Sequence, residues 1–315
     1  LRRLDDEVAE EGQAIWEAIR ERAEEFFQHY TPSSKGVVAF FGPDWEQIHP
    51  LPVPVENDAA YGRPLVGPLL RALDEYQAYL VLVVDQEEAH FYESYLGQTE
   101  FRDSIEIDLD DYDFGEKTGM PPTSAKLAAS GTIQSNNREA FEDMIDAHRM
   151  RFYRDVAEHL RLLVEQDNID RIILGGDEQA ANTVRKQLPE ALRQKVVDVV
   201  SIPRHFSTHE VFEHVQPLAV DYERDEEIRA VDEVINAARA GGRAVLGPEA
   251  VATALDRQQV AALLLAWPPE QTDGANDLAY RALSLNSAIE IVHDAAADKL
   301  RKEASGVAAR LYYAM

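Results

Sequence analysis

Residues 117–138, KTGMPPTSAKLAASGTIQSNNR, contain no Asp or Glu, and their only charges are Lys117, Lys126 and Arg138. The rest of the chain is dense in acids: 58 Asp and Glu stand against 31 Lys and Arg in 315 residues, a formal net charge of -27. A cationic stretch on an anionic protein attracts phosphate, and a nucleic-acid backbone is the matching polyanion. The small and polar residues here offer little apolar surface to bury, so 115–138 is expected to extend from the body as an exposed loop. An insertion that happens to lack acids has the same composition. Just beyond it, His148, Arg149, Arg151 and Arg154 are helical neighbours by spacing and continue a basic edge. The competing reading pairs these side chains with acids such as Asp146 and Glu158.

Three other constellations could carry chemistry. Asp108, Asp110, Asp111 and Asp113 could hold a hard divalent cation through oxygen ligands, although their alternation also fits the solvated face of a strand. His205, His209 and His214 include an i, i+4 pair that could chelate zinc, but no carboxylate motif accompanies them, and surface or structural histidine is the plainer reading. Gly175-Gly176-Asp177 opens a helix after a buried strand, where phosphate can bind; tight strand-to-helix packing explains the glycines equally well. No Ser/His/Asp order or nucleophile elbow is present, and no catalytic residue, metal site or cofactor is assigned.

The elements that must position these residues follow from periodicity. Residues 4–30 read as a helix, 36–41 (GVVAFF) as a strand, 45–49 as a further short strand and 69–79 as a short helix. Residues 79–85 (YLVLVVD) form a continuous apolar run, expected for a strand buried on both faces. Strands follow at 88–96 and 104–114, then the acid-free segment, a long helix at 138–166, and strands at 169–174 and 196–200. Residues 208–240 read as helical, interrupted at Pro217. Strands at 243–247, 260–267, 289–292 and 307–312 alternate with helices and are expected in one sheet. The result is an α/β protein of three domains: a short N-terminal α+β domain (1–77), a central mixed-sheet domain (78–205) and a C-terminal α/β/α domain (206–315).

Composition narrows the class further. Cys is absent, which excludes disulfides and thiolate metal sites and fits a cytoplasmic protein. Neither a run of transmembrane length nor a signal-peptide pattern is present, so no membrane partner is expected. The first residue is Leu, so the true start of the protein can lie upstream. Only seven of the 31 basic residues are Lys. Acid-rich, Lys-poor surfaces suit high salt, where carboxylate repulsion is screened, so a halophile-like surface is expected and local positive patches count for more than the net charge.

Two blocks carry a family likeness. YLVLVVDQEEAHFYESYLG, RFYRDVAEHL and IDRIILGGDEQAANTV resemble the central domain of archaeal and eukaryotic class-one peptide release factors and of Pelota. RAVLGPEAVATALDRQQVAALLLAW and GVAARLYY resemble their C-terminal domain. The match runs from about residue 78 to 315 and is best with the bacterial branch of the superfamily. It rests on the order and spacing of segments, since no short motif is diagnostic. The family's Gly-Gly-Gln tripeptide, carried on a loop before the long helix, would fall near Ser135-Asn136-Asn137. That tripeptide is absent, and Gly131-Thr132-Ile133-Gln134 is its nearest remnant. The resemblance implies a ribosome-binding translation factor for rescue, dormancy or termination, without peptidyl-tRNA hydrolysis. Its contact residues would be Lys117, Lys126, Gln134, Asn136, Asn137, Arg138, His148, Arg149 and Arg151. Its partners would be the ribosome, ribosomal RNA or tRNA, with a translational GTPase at the C-terminal domain. The short N-terminal domain matches no codon-reading motif. Two other classes stand beside this reading: a Mg-dependent nuclease or hydrolase using the acids of 103–113, and an acidic adaptor that binds a protein. Carboxylates converging within about 4 Å of one point would favour the metal enzyme.

Overall fold

The computed structural model describes residues 4, 8, 12–107, 132–269 and 274–313, and for 132–143 the backbone alone. In chain order the elements are α1 (Gln13–His29), β1 (Gly36–Phe41), β2 (Glu46–Leu51), α2 (Gly67–Glu75), β3 (Tyr79–Val84), β4 (Glu88–Tyr95), β5 (Gln98–Glu106), α3 (Thr132–Gln166), β6 (Ile172–Gly176), α4 (Glu178–Gln187) and α5 (Glu190–Arg193). There follow β7 (Val196–Ser201), α6 (Thr208–Arg239), β8 (Ala244–Leu246), α7 (Pro248–Asp256), β9 (Val260–Ala266), α8 (Ala275–Ser284), β10 (Ala288–Val292), α9 (Asp294–Ala304) and β11 (Val307–Leu311). They build a two-stranded, a five-stranded and a four-stranded sheet. The chain divides into two compact units: 78–95 with 99–216, and 1–77 with 96–98 and 217–315.

The first unit holds the mixed five-stranded sheet, in the order β5-β4-β3-β6-β7. β3 pairs antiparallel with β4 and parallel with β6, and β6 pairs parallel with β7. All six residues of β3 are buried, as its unbroken apolar run requires. One face of the sheet carries the core of this unit. Leu80, Leu82, Phe91, Ile172 and Leu174 meet Phe152, Val156, Leu160 and Val164 of α3 and Ala180, Ala181 and Val184 of α4. These α3 positions recur at three- and four-residue spacing, one stripe of a helix.

Two boundaries differ from expectation. β5 begins at Gln98 rather than 104, because an exposed edge strand needs no apolar alternation to announce it. The helix α3 begins at Thr132 rather than 138, since no Gly or Pro interrupts the backbone from Thr132 onward.

In the second unit the strands expected together do share one sheet, in the order β10-β9-β11-β8. β10 and β9 are parallel, whereas β11 runs antiparallel to both β9 and β8. One face packs against α7 and α8 through Val251, Leu255, Leu278 and Ala282. The other packs against α6 and α9 through Val231, Val234, Ala297 and Leu300. Val66 and Leu70, leading into and within α2, join the α7–α8 layer, and residues 1–77 group with this sheet. The β1–β2 hairpin is antiparallel, and Leu4 and Val8 pack on Trp16 of α1. The expected interruption at Pro217 does not occur: α6 is one helix with Pro217 inside it. Val211 and Val215 before it and Glu227, Val231 and Val234 after it are all buried, and this packing holds helical backbone on both sides of a residue that removes one hydrogen bond.

Candidate functional site

The side chains of the expected basic edge, His148 to Arg154, lie on the described part of α3. Phe152, Tyr153, Val156 and Leu160 are buried on the sheet, which turns Arg151 and Arg154 outward to solvent. Arg149 has only a long ion pair, 3.8 Å from the exposed Asp146. Arg154 uses its Nε to donate to the Met150 carbonyl at 3.2 Å. Arg151 has no ion-pair partner among the described residues. Glu158, the acid expected to neutralise this edge, is instead held by Arg161 at 2.7 Å, and Arg161 also reaches Glu165 at 2.6 Å. The next turns of α3 are thus internally paired, while 149–154 keep cationic groups available. His148 is half-buried beside them.

The remaining positions expected in this site stand differently. Lys117 and Lys126 lie outside the described residues, as does the part of the expected loop from 115 to 131. Gln134, Asn136, Asn137 and Arg138 have helical backbone in the first turns of α3 and do not stand on a loop before it. Their side chains lie outside what is described. The helix therefore carries the positions near which the resemblance would place the family tripeptide.

At the carboxyl ends of β3, β6 and β7 lies a cleft of about 220 Å³ lined by Asp85, Glu88, His90, Asp177 and Arg204 among others. Such crevices hold ligands in many open α/β sheets. Here, however, the polar groups satisfy one another. Arg204 bridges Glu88 at 2.8 Å and Asp85 at 3.5 Å, and His90 lies 3.0 Å from Glu88. Asp177 caps α4 by accepting from the Ala180 backbone N–H at 2.9 Å, so a carboxylate already occupies the place a phosphate would take. Gly176 has φ +102°, and a Cβ there would stand 2.2 Å from the Val84 carbonyl oxygen. The glycine pair serves close packing of β6 on β3. Asp177→Ala is expected to cost about 1 kcal/mol of unfolding free energy by removing this cap, measurable by urea denaturation.

The acidic strand gives no metal centre in its described part. Asp103 meets His159 at 2.9 Å, and Glu106 is exposed. Asp108, Asp110, Asp111 and Asp113 lie outside the described residues. His205, His209 and His214 do not converge: His205 and His214 each pack edge-on to Phe206, and His209 approaches Glu213 at 3.4 Å.

Sequence reasoning passed over one constellation in the other unit. Asp74 of α2 and Glu223 and Glu227 of α6 place carboxylate oxygens within 4.8 Å of one another. The signal was available. Asp74 lies four residues after Leu70 on the buried stripe of α2, and Glu223 and Glu227 extend the stripe of Val231 and Val234 backwards by helical steps. Acids on an apolar stripe mark a buried polar site.

Residues 64–219 match the profile of bacterial archaeo-eukaryotic release factor family 10. Among solved structures, Dom34 of S. cerevisiae, described as a translation termination-like factor involved in RNA quality control pathways and interacting with Hbs1, is similar at TM-score 0.50 and 16% identity, over 79% of this chain and 66% of that one. A ribosome-bound archaeal Pelota, solved with ABCE1, gives TM-score 0.49 and 18% identity over 75% and 62% of the two chains. Pelota of Archaeoglobus fulgidus gives 0.39 and 16%, over 76% and 66%. The chain spans just under two thirds of the length of these relatives, and at such identities the likeness is one of fold. No curated protein matches the sequence.

Proposed function

We propose that the chain, whose residues 64–219 match bacterial archaeo-eukaryotic release factor family 10, is a cytoplasmic, ribosome-binding translation factor of that branch which does not hydrolyse peptidyl-tRNA. The observation that carries the proposal is where the family match falls. Residues 64–219 include β3 to β7 and α3, the unit whose long helix presents Arg151 and Arg154 to solvent beside Arg149, which has only a 3.8 Å pair with Asp146 among the described residues. Those cations, with Lys117, Lys126 and Arg138, supply phosphate contacts, and Gln134, Asn136, Asn137 and His148 supply polar ones. The partner is ribosomal RNA or tRNA. The four-stranded-sheet domain is the surface for a translational GTPase, and we divide the working chain as 1–77, 78–205 and 206–315.

The second half of the proposal rests on backbone chemistry. A Gly-Gly-Gln loop lets bare main chain approach an ester and place water on it. The aligned residues Ser135, Asn136 and Asn137 all carry side chains and have helical backbone, and the tripeptide occurs nowhere in the chain. Helical N–H and C=O groups are committed to one another and cannot orient a nucleophile. Wild-type protein added to stalled ribosomes should pellet with them and leave peptide release at the buffer rate. Release at the rate of an authentic release factor would overturn the non-catalytic reading, and Gln134 would then be the first residue to replace.

The acidic nuclease reading gains no support from Asp103, whose carboxylate is turned to His159 and not to another acid.

A further inference from the structure

Asp74 sits in the last turn of α2 with only 9% of its surface exposed. Its Oδ1 receives a weak hydrogen bond from Gln77 at 3.5 Å, the Ile291 backbone N–H also stabilises the carboxylate, and its buried Oδ2 has no hydrogen bond within 3.5 Å. Glu223 and Glu227 stand beside it, 5% and 1% exposed. A buried carboxylate oxygen without a donor is costly, and other carboxylates gathered beside it raise that cost.

Of the three, Glu227 already has partners of its own, Arg224 and His293. Arg224 gives Nη2 to both Glu75 oxygens at 2.7 Å, Nη1 to Glu227 at 2.7 Å, and stands 3.3 Å from Asp294 through Nε. His293 donates its backbone N–H to Glu227 Oε2 at 2.7 Å, and its Nδ1 lies 2.9 Å from Glu227 Oε1. Arg310 faces Glu290 and pairs with Glu233 at 3.4 Å. Asp74 makes no ion pair among the described residues. Burial, with Glu223 and Glu227 adjacent, pushes its carboxyl up to about 8.

We propose that Asp74, Glu223 and Glu227 bind one hard divalent cation, tested here as Ca²⁺, which ties α2 to α6. Two independent observations carry this: three carboxylate oxygens from elements far apart in sequence converge within 4.8 Å, and the Asp74 Oδ2 among them is buried and unsatisfied. The donor set is all oxygen, which selects hard cations over zinc or copper. Glu227, held by Arg224 and His293, has an orientation set by its neighbours in the way outer groups orient metal ligands. The site is independent of the proposed ribosome contacts and uses none of their residues.

The test uses Tb³⁺ as a luminescent stand-in for Ca²⁺. Trp267 lies 6.5 Å from the His293 ring, and His293 touches Glu227, so tryptophan excitation should sensitise an ion held here and not one scattered over the acidic surface. With chelator-treated full-length protein, Tb³⁺ emission under tryptophan excitation should saturate near one equivalent and be displaced by Ca²⁺. Asp74→Asn and Glu223→Gln should each lower that emission at least tenfold while far-ultraviolet circular dichroism stays unchanged. Ca²⁺ should raise the melting temperature of wild type and not of either variant at matched ionic strength. Emission that is absent in wild type, insensitive to Ca²⁺, or equal in wild type and Asp74→Asn would overturn the proposal and leave protons as what neutralises the trio.

Discussion

Replacing Lys117, Lys126, Arg138, Arg149 and Arg151 together by Ala should abolish most salt-sensitive binding to ribosomes. Each cation that neutralises a phosphate releases a counterion on binding, so each contributes slightly under one unit to the slope of log affinity against log salt. Five such contacts account for a slope of roughly four units, or about a 10²–10³-fold loss of affinity between 50 and 200 mM salt. The variant should therefore bind more weakly at low salt and lose far less affinity as salt is added. The remaining surface is strongly acidic and repels RNA at low salt, but wild type and variant share that repulsion, so comparison at each salt concentration cancels it. Pelleting measured across a salt series is the readout. A second variant carrying only Arg149→Ala and Arg151→Ala separates the helical edge from the acid-free segment: it should flatten the slope by about two units. Unchanged pelleting of the five-fold variant would remove the segment from the mechanism.

The second large effect is on folding. Gly176 ends β6 at φ +102°, where residues with a Cβ are strained by about 1–3 kcal/mol. An added Cβ would also stand 2.2 Å from the oxygen and 2.7 Å from the nitrogen of Val84, both backbone atoms. Gly176 and Val84 are register partners in the β3–β6 pairing, and Asp177 donates its N–H to that same Val84 oxygen at 2.9 Å. Relief would require parting two central strands, so Gly176→Ala should cost more than about 4 kcal/mol, or yield no soluble protein. Gly175→Ala is the control. Its Cβ would meet the Ile202 side chain at 2.4 Å, and a side chain can repack, at about 1–3 kcal/mol. Guanidinium denaturation of both variants against wild type should place Gly176→Ala far below Gly175→Ala. Equal and small effects on stability would show that the glycines are not there for packing, and a phosphate-binding role would return.

What the amino-acid order made readable was set by burial. β3, β6 and β9 are apolar without interruption because neighbours cover them on both faces, and such runs are visible in any window. The residues of β5, QTEFRDSIE, are nearly all exposed, so nothing in their types separates an edge strand from a loop. The start of α3 was hidden for a related reason: Thr132, Gln134, Ser135, Asn136 and Asn137 have modest helix propensity and no apolar period. Pro217 misled in the opposite direction, since local preference predicted a break that tertiary packing overrides. The edge at Arg149 and Arg151 was legible from spacing, as was the Arg149–Asp146 pair, but the loss of Glu158 to Arg161 was not, because only the fold shows it. Asp74, Glu223 and Glu227 were overlooked because acids on a chain this acidic read as surface until their positions are compared with the buried stripes.

The place of β11 has a consequence for the order in which the protein can be made. It is the last strand in sequence, yet it lies between β9 and β8 in the sheet. β8, the earliest of the four strands to be translated, has β11 as its only sheet neighbour, through Ala308, Ala309 and Arg310. During vectorial synthesis β9 and β10 can pair as soon as they emerge, but β8 must wait for residues 307–311. Until then Val307 and Ala309 are missing from one apolar layer and Ala308 from the other, so both faces stay incomplete together. A nascent chain stopped short of Val307 would not be a domain lacking an edge. It would be a sheet split through its middle, exposing the strand edges and apolar surface that chaperones and proteases recognise.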